Sequence, residues 1–362
     1  MSNTTSNITR RNTLQLISAS LIASAGYSLL PRKAAAAGTI TVLNWKGYGT
    51  DEVWSTKAFQ EATGIEVVHD YYSSEPEMLT KLRTNPGAYD LVVLNAARCA
   101  QAMAEDLIVP IDYSKVPNIA SVAEDLRSNK NFNKDGVGYA VPWVWGMTAL
   151  AMREGLPKAD SYAVLGDAAY KGRVAVQDAA VGMISVAALL TGQDMNNPKD
   201  LDLVKETLKG FKPNVKLLWS SEDQWSKSFA AKEFDVATYW SGSSVRSRHV
   251  SKLPVDFVVP KEGAIGWVDG LGVPVGAPNM EGALAFANWM IDPKFYVEWA
   301  TKIGAPASSN AAAMEALPAD DLSRQIHKPE YIATMSIMSA LPDERREAFN
   351  NLWQEVKAFY AE

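Results

Sequence analysis

The chain is poor in the residues that build metal centres and covalent staples. Its 362 residues hold one cysteine, Cys99, and three widely separated histidines, His69, His249 and His327. One thiol cannot close an internal disulfide, so a disulfide scaffold is excluded, and with it any multi-cysteine metal site. The histidines stand in no metal-ligand spacing, and neither metal nor cofactor is expected. Glycine motifs for phosphates and dinucleotides are missing, as is the GxSxG elbow of serine hydrolases. No apolar run reaches the ~20 residues that span a bilayer. The first 37 residues contain no Asp or Glu.

That acid-free start reads as an export signal. Arg10 and Arg11 stand in TRRNTLQL, a mildly apolar stretch runs over 14–30, and Pro31-Arg32-Lys33 precedes four alanines. Basic, apolar and small-residue regions in this order make a secretory signal. The paired arginines and weak hydrophobicity favour the twin-arginine route and a periplasmic destination. The competing reading is an uncleaved membrane anchor, for which the apolar run is short. Cleavage near Ala37 removes four cations and no acid, taking the formal charge from −6 to −10. An acidic mature chain argues against a nucleic-acid partner. About 325 remaining residues suit two domains, each with its own core.

From Gly38 onward strands alternate with helices, which predicts an α/β fold. Residues 39–43 form a β-rich run, 51–63 a helix ended by Gly64, and 65–69 a strand. Ser73 and Ser74 cap a helix over 75–83, with Glu77 placed for a capping box. YDLVVL at 89–94 is fully apolar, as in a mostly parallel sheet. A second α/β unit starts near Trp143, with strands expected at 173–177, 234–239 and 255–259 and helices at 179–190 and 199–210. Crossings at 139–143 and 267–270 would hinge two lobes. The expected lobes are 38–142 with 270–313, and 143–269 with 314–362. A final amphipathic helix carries Phe349, Leu352, Trp353, Val356 and Phe359 as a core-facing stripe.

Ligands in such sheets bind beyond the carboxyl ends of strands. That rule selects the loops 45–48, 71–75 and 95–98. The run PKEGAIGWVDGLGVPVGAPN adds Trp267 and Asp269, two positions apart. In extended chain both face one way. An indole face beside a carboxylate suits an ammonium, through cation–π attraction and charge-assisted hydrogen bonds.

Taken in order, LNWKGYGTDEVWSTKAFQEATGIEV, YYSSEPEMLTKL, YDLVVLN, LIVPIDYSKVPN, YAVPWVWGMTAL, YKGRVAVQDA, YWSGSS and PKEGAIGWVDGLGVPVGAPN resemble the spermidine/putrescine-type periplasmic solute-binding proteins of ABC importers. The resemblance runs from about Thr39 to Asn310 and weakens over the last fifty residues. It implies a two-lobed type II binding-protein fold with the ligand cleft between lobes joined by a hinge. It also implies delivery to a membrane permease, no catalysis and no cofactor; a monomer is expected. Carried over residue by residue, it assigns Trp45, Tyr48 and Trp240 to aromatic walls, Trp267 and Asp269 to the amine, and Asp178 to a further carboxylate.

The departures concern the ligand. Val181 stands where the family has a second carboxylate, Gly47 where it has an acid, and Ala305 where it has a tyrosine. Asn95, Ala96, Ala97 and Arg98 replace hydroxyl-bearing side chains. Lys46 and Arg98, with Arg246 and Arg248, are candidate partners for a ligand carboxylate; each is otherwise a solvated surface charge. Losing carboxylates implies a ligand with fewer ammonium groups than spermidine: a monoamine, a short diamine or a zwitterionic amine. A ligand sensor or sugar binder of the same fold stays open, with Asn44 and Asn95 as sugar contacts. A secreted enzyme is the further rival; Ser241 and Ser243 have no base assignable from sequence.

Overall fold

The computed structural model describes residues 38–328, 331 and 335–362. The expected export signal, 1–37, lies outside the described residues. Among these no helix is long and apolar enough to cross a membrane.

The first strands β1 (Gly38–Trp45), β2 (Ile65–Tyr72) and β3 (Leu91–Asn95) alternate with α1 (Val53–Thr63), α2 (Glu75–Thr84) and α3 (Ala96–Ala104). After α4 (Glu124–Arg127) and the short pair β4 (Asn133–Lys134) and β5 (Val137–Gly138) comes a long strand, β6 (Ala140–Arg153). The next segment holds β7 (Val174–Gln177), α5 (Ala180–Leu190), α6 (Leu201–Gly210), β8 (Val215–Trp219), α7 (Glu222–Ala230), β9 (Val236–Trp240), α8 (Ser241–His249) and β10 (Val255–Val258). The chain returns through β11 (Ile265–Gly272), α9 (Met280–Met290), α10 (Pro293–Lys302), β12 (Ala307–Ser308), α11 (Ala311–Glu315) and α12 (Leu322–Ile326). It ends with β13 (Ser336–Ile337) and a C-terminal helix (Asp343–Ala361).

One sheet runs through all of this, in the order β2-β1-β3-β11-β6-β9-β7-β8. Its two flanks are parallel: β1 with β2 and β3, and β7 with β8 and β9. The centre is antiparallel, where β11 pairs with both β3 and β6. The expected crossing at 139–143 is thus the start of a 14-residue strand, of which all but Arg153 is buried. Burial on both faces explains why its sequence shows no alternation. Pro142 cannot donate to a ladder, and it sits at a register shift between Asp269 and Gly270, the kind of irregularity that tolerates proline in a sheet interior.

Several elements begin on side-chain caps. Ser74 accepts from Glu77 N at 3.3 Å, but the Glu77 carboxylate returns to Ser73 N (2.9 Å) rather than to Ser74. The expected capping box is therefore shifted by one residue. Asn95, expected in a loop, ends β3 and caps α3 by accepting from Arg98 N at 2.9 Å. Gly64 ends α1 at φ 76°, a left-handed cap that glycine adopts without strain.

Three hydrophobic clusters form the core. The first joins β1–β3, the β6 residues up to Ala149 and the helices α9 and α10. The second takes Leu150 and Met152 of β6 with α5, α6 and the C-terminal helix. The third, around Trp219, Trp225, Phe229 and Tyr239, also holds Ala151. From the C-terminal stripe Phe349, Leu352, Trp353 and Val356 are buried, each stabilising by roughly 1.5–3 kcal/mol. Phe359 is half-buried, with Lys212 Nζ 4.3 Å above its ring.

Candidate ligand cleft

A cavity of about 1160 Å³ opens where the carboxyl ends of the parallel strands meet the central antiparallel pair. Trp45, Lys46, Tyr48, Asn95, Arg98, Trp240, Trp267 and Asp269 all line it, so eight of the nine residues selected from sequence share one space. The ninth, Asp178, does not line it. Its Oδ1 accepts from Trp353 Nε1 at 2.8 Å and pairs with Lys357 at 3.0 Å, which ties it to the C-terminal helix. Asp178 is withdrawn as a ligand contact.

Asp269 lies on β11 between Val144 of β6 and Asn95 of β3. Its Oδ2 accepts from the Tyr48 hydroxyl at 2.7 Å. Burial pushes the carboxyl up to about 7; the Tyr48 hydrogen bond opposes this, and the charge of Glu75 adds to it. No ion pair to Asp269 is made among the described residues. Burial, and then the neighbouring Asp269, raises the Tyr48 phenol well above its ordinary value.

Trp267 shares the cleft face with Asp269. Its register partner on β6 is Gly146, and a Cβ there would stand 2.3 Å from the indole Cζ2. Glycine at 146 is what lets the ring lie on the strand. Other aromatics are held edge-on: Trp45 by Tyr72 (4.5 Å between ring centroids), Tyr48 by Trp143 (5.5 Å) and Trp240 by Trp219 (4.9 Å).

Three further acids line the cleft: Glu75, which ends the loop 71–75 selected from sequence, and Glu222 and Asp343, which sequence reasoning missed. Each is the first residue of a helix, Glu75 and Glu222 behind a capping serine and Asp343 behind Pro342. All three are already paired, Asp343 with Arg346. Arg98 Nε donates to Glu75 Oε2 at 2.7 Å, and Asn95 Nδ2 donates to Oε1. Arg246 grips Glu222 through Nε (2.9 Å) and Nη2 (2.5 Å), and Ser243 Oγ donates to it at 2.6 Å. Burial raises the Glu222 carboxyl, but the hydrogen bonds and charge of Arg246 outweigh this and hold it below its usual range. Arg246 is thus a cleft residue, but a neutralised one. Arg248 lies away from the cleft, on Asp256 at 3.1 Å and the Val255 carbonyl at 2.9 Å. Lys46 is exposed at the rim and makes no ion pair among the described residues.

The remaining departures are also placed. Val181 lines the cavity, whereas Ala305 is buried beneath Pro306, which lines it. Asn44 is fully buried and donates to Thr50 at 2.5 Å, outside the cavity. Ser241 does have a histidine: His327 Nε2 lies 2.9 Å from its Oγ. Both groups are buried, and Ser241 Oγ also accepts from Met147 N at 3.0 Å. His327 Nδ1 faces the Ser323 carbonyl at 2.9 Å. The pair therefore binds α12 to the sheet and opens onto no substrate space. No group of three or more His, Cys, Asp or Glu among the described residues is placed to hold a metal ion.

The sequence matches the family described as bacterial extracellular solute-binding protein over residues 54–325. It is 32% identical over 280 residues to the spermidine/putrescine-binding periplasmic protein of Escherichia coli K12, covering 76% of this chain and 78% of that one. It is 27% identical to the putrescine-binding periplasmic protein SpuD of Pseudomonas aeruginosa, over 88% of this chain and 91% of that one. In fold it is similar to the substrate-binding protein PotD from Streptococcus pneumoniae, with a TM-score of 0.79 and 21% identity over 90% of this chain and 100% of the other. A two-lobed α/β fold, a cleft shared by strand ends from both flanks of one sheet, and a family match over three quarters of the sequence lead to one conclusion: the chain belongs to the bacterial extracellular solute-binding proteins, among those that resemble the spermidine/putrescine type.

Proposed function

We propose that this protein is the substrate-binding component of an ABC importer, and that it captures an amine-bearing solute with fewer ammonium groups than spermidine. The carrying observation is Asp269: a carboxylate among aromatic rings, held by one neutral hydroxyl, with no cation upon it. Such a site is completed by an ammonium, which supplies the missing counter-charge and stacks on Trp267. The other cleft carboxylates, Glu75, Glu222 and Asp343, already have arginine partners, which supports the lower ammonium count. The relatives' names as polyamine- and putrescine-binding proteins agree with an amine.

In this reading the ligand docks on one lobe, 38–142 with 270–313 or 143–269 with 314–362, and closure about β6 and β11 buries it. Closure is a population shift, driven by contacts made only when both lobes touch the ligand. No bond chemistry occurs. The loaded form then meets a membrane permease, after export directed by the twin-arginine-type signal over 1–37. A ligand sensor would share all the binding steps; loss of uptake on deletion of a permease encoded beside it separates the two.

Calorimetric titration with putrescine, spermidine and zwitterionic amines tests the ligand. Asp269→Asn, which keeps the shape and removes the charge, should weaken an amine by about 2–5 kcal/mol. Unchanged affinity in that variant refutes the amine reading. Tight spermidine binding with little response to the smaller amines refutes the ammonium count.

A further inference from the structure

The cleft has a direction. Ile265, Trp267 and Asp269 all line it, and as alternate residues of β11 they share one face. The register is regular from Ile265 to Asp269 and shifts only beyond it. Four residues of strand separate the carboxylate from Ile265 by about 13 Å.

The two ends differ in chemistry. Trp45, Tyr48 and Trp267 pack against the first hydrophobic cluster, around Asp269. Ile265 belongs to the second cluster, against which Val181, Met338 and Leu341 also pack. The last two come from the segment after β13, which runs parallel beside Ile265 and Gly266. Met338 N donates to the Gly266 carbonyl at 2.9 Å. Asn196 holds the same segment twice, donating to Ile337 O (3.0 Å) and accepting from Ser339 N (2.9 Å). The C-terminal segment is therefore a fixed wall of the cleft.

Charge follows the same division. Glu75, Glu222 and Asp343 are paired with Arg98, Arg246 and Arg346, and Asp178 is turned away onto Lys357. Asp269 is left as the uncompensated cleft carboxylate. At the far end Gln177 adds a neutral amide, which can hydrogen-bond but cannot neutralise a charge. An ammonium or carboxylate brought there would lose water against Val181, Met338 and Leu341, and the charges that follow on the same segment, Asp343 and Arg346, are already paired with each other.

We propose that the ligand is a monoamine with an apolar end: its ammonium on Asp269, its hydrocarbon against Ile265, Val181, Met338 and Leu341. The proposal rests on the amine reading above and deepens it. The wall over 338–342 then sets specificity.

Three five-carbon probes test it by calorimetric titration of the purified protein: n-pentylamine, 1,5-diaminopentane and 5-aminopentanoate. n-Pentylamine should bind tightest, by roughly tenfold to 100-fold over either charged-end probe. From n-propylamine to n-pentylamine, affinity should rise about threefold to fourfold per methylene. Met338→Ala should flatten that rise, and Val181→Glu should favour the diamine. A diamine or amino acid that equals n-pentylamine, with binding still abolished by Asp269→Asn, overturns the apolar end and leaves the amine reading standing. No binding of any of the three, or binding indifferent to Asp269→Asn, overturns both.

Discussion

Proton release on amine capture is the sharpest consequence of where Asp269 sits. In the empty cleft its carboxyl is raised from 3.8 to about 7, chiefly by burial. An ammonium binds the carboxylate form, so loading must expel whatever proton Asp269 holds. A primary amine titrates near 10 and stays charged throughout. Affinity should therefore level off above about pH 8 and fall about tenfold per unit well below pH 7. Between pH 8.5 and pH 5 the loss is roughly 100-fold, or ~2.7 kcal/mol. Titrations in buffers of different ionisation enthalpy count the proton directly: about 0.9 released per ligand at pH 6 and about 0.1 at pH 8. Tyr48→Phe removes the hydrogen bond that holds the value down, so its inflection should move to higher pH. Asp269→Asn should show no such inflection. The empty protein carries the opposite signature. A carboxyl whose folded value exceeds its unfolded one stabilises the fold only while protonated, so stability declines as pH rises from about 4 to about 7, by at most ~4 kcal/mol. Amine affinity that is constant from pH 5 to 8.5, or that rises on acidification, refutes the reasoning.

Three further outcomes follow from the same geometry. Asp178→Ala should leave ligand affinity within about twofold, while the unpaired Trp353 N–H costs about 1–3 kcal/mol in urea unfolding; a tenfold loss of affinity would return Asp178 to the cleft. Gly146→Ala should force the Trp267 ring off β6, weakening amine binding and costing about 1–3 kcal/mol of stability, read by titration and thermal melting. His327 is held neutral by burial, its value lowered from 6.5 to about 4. Its stabilisation is complete above pH 6.5 and is lost as pH falls towards 4, about 2 kcal/mol by pH 5, and His327→Gln should lack that part of the acid dependence in urea midpoints.

Much of the site was legible because strand ends carry local signals. Trp45 and Tyr48 follow a β-rich run, and Trp267 and Asp269 alternate, so periodicity alone aligned them. What escaped was set by distant partners. Asp178 stands at a strand end as expected, yet a helix some 175 residues later claims its side chain. Arg98 and Arg246 looked free because Glu75 and Glu222, which neutralise them, lie 23 and 24 residues away on other elements. A single surface charge has no sequence mark that distinguishes it from half of an ion pair. The length of β6 was hidden for another reason: a strand buried on both faces has no polar punctuation to mark where it continues. The C-terminal wall was invisible because Met338 and Leu341 flank no motif, and only pairing with β11 brings them to the ligand.

The placement of β11 between β3 and β6 has a consequence for the order in which the chain can fold. Everything needed for the cluster around Trp219 and Tyr239 lies within residues 151–255, in one unbroken stretch. The first cluster is split, with residues 40–149 waiting for 264–317. Until β11 is inserted, β3 and β6 present facing edges with open backbone groups, the form of strand that pairs with foreign chains. The first cluster is thus completed after the one around Trp219, and the second waits longest, for Phe349–Val356 of the C-terminal helix; the interval before Ile265–Gly272 docks is when the nascent protein is most exposed to mispairing.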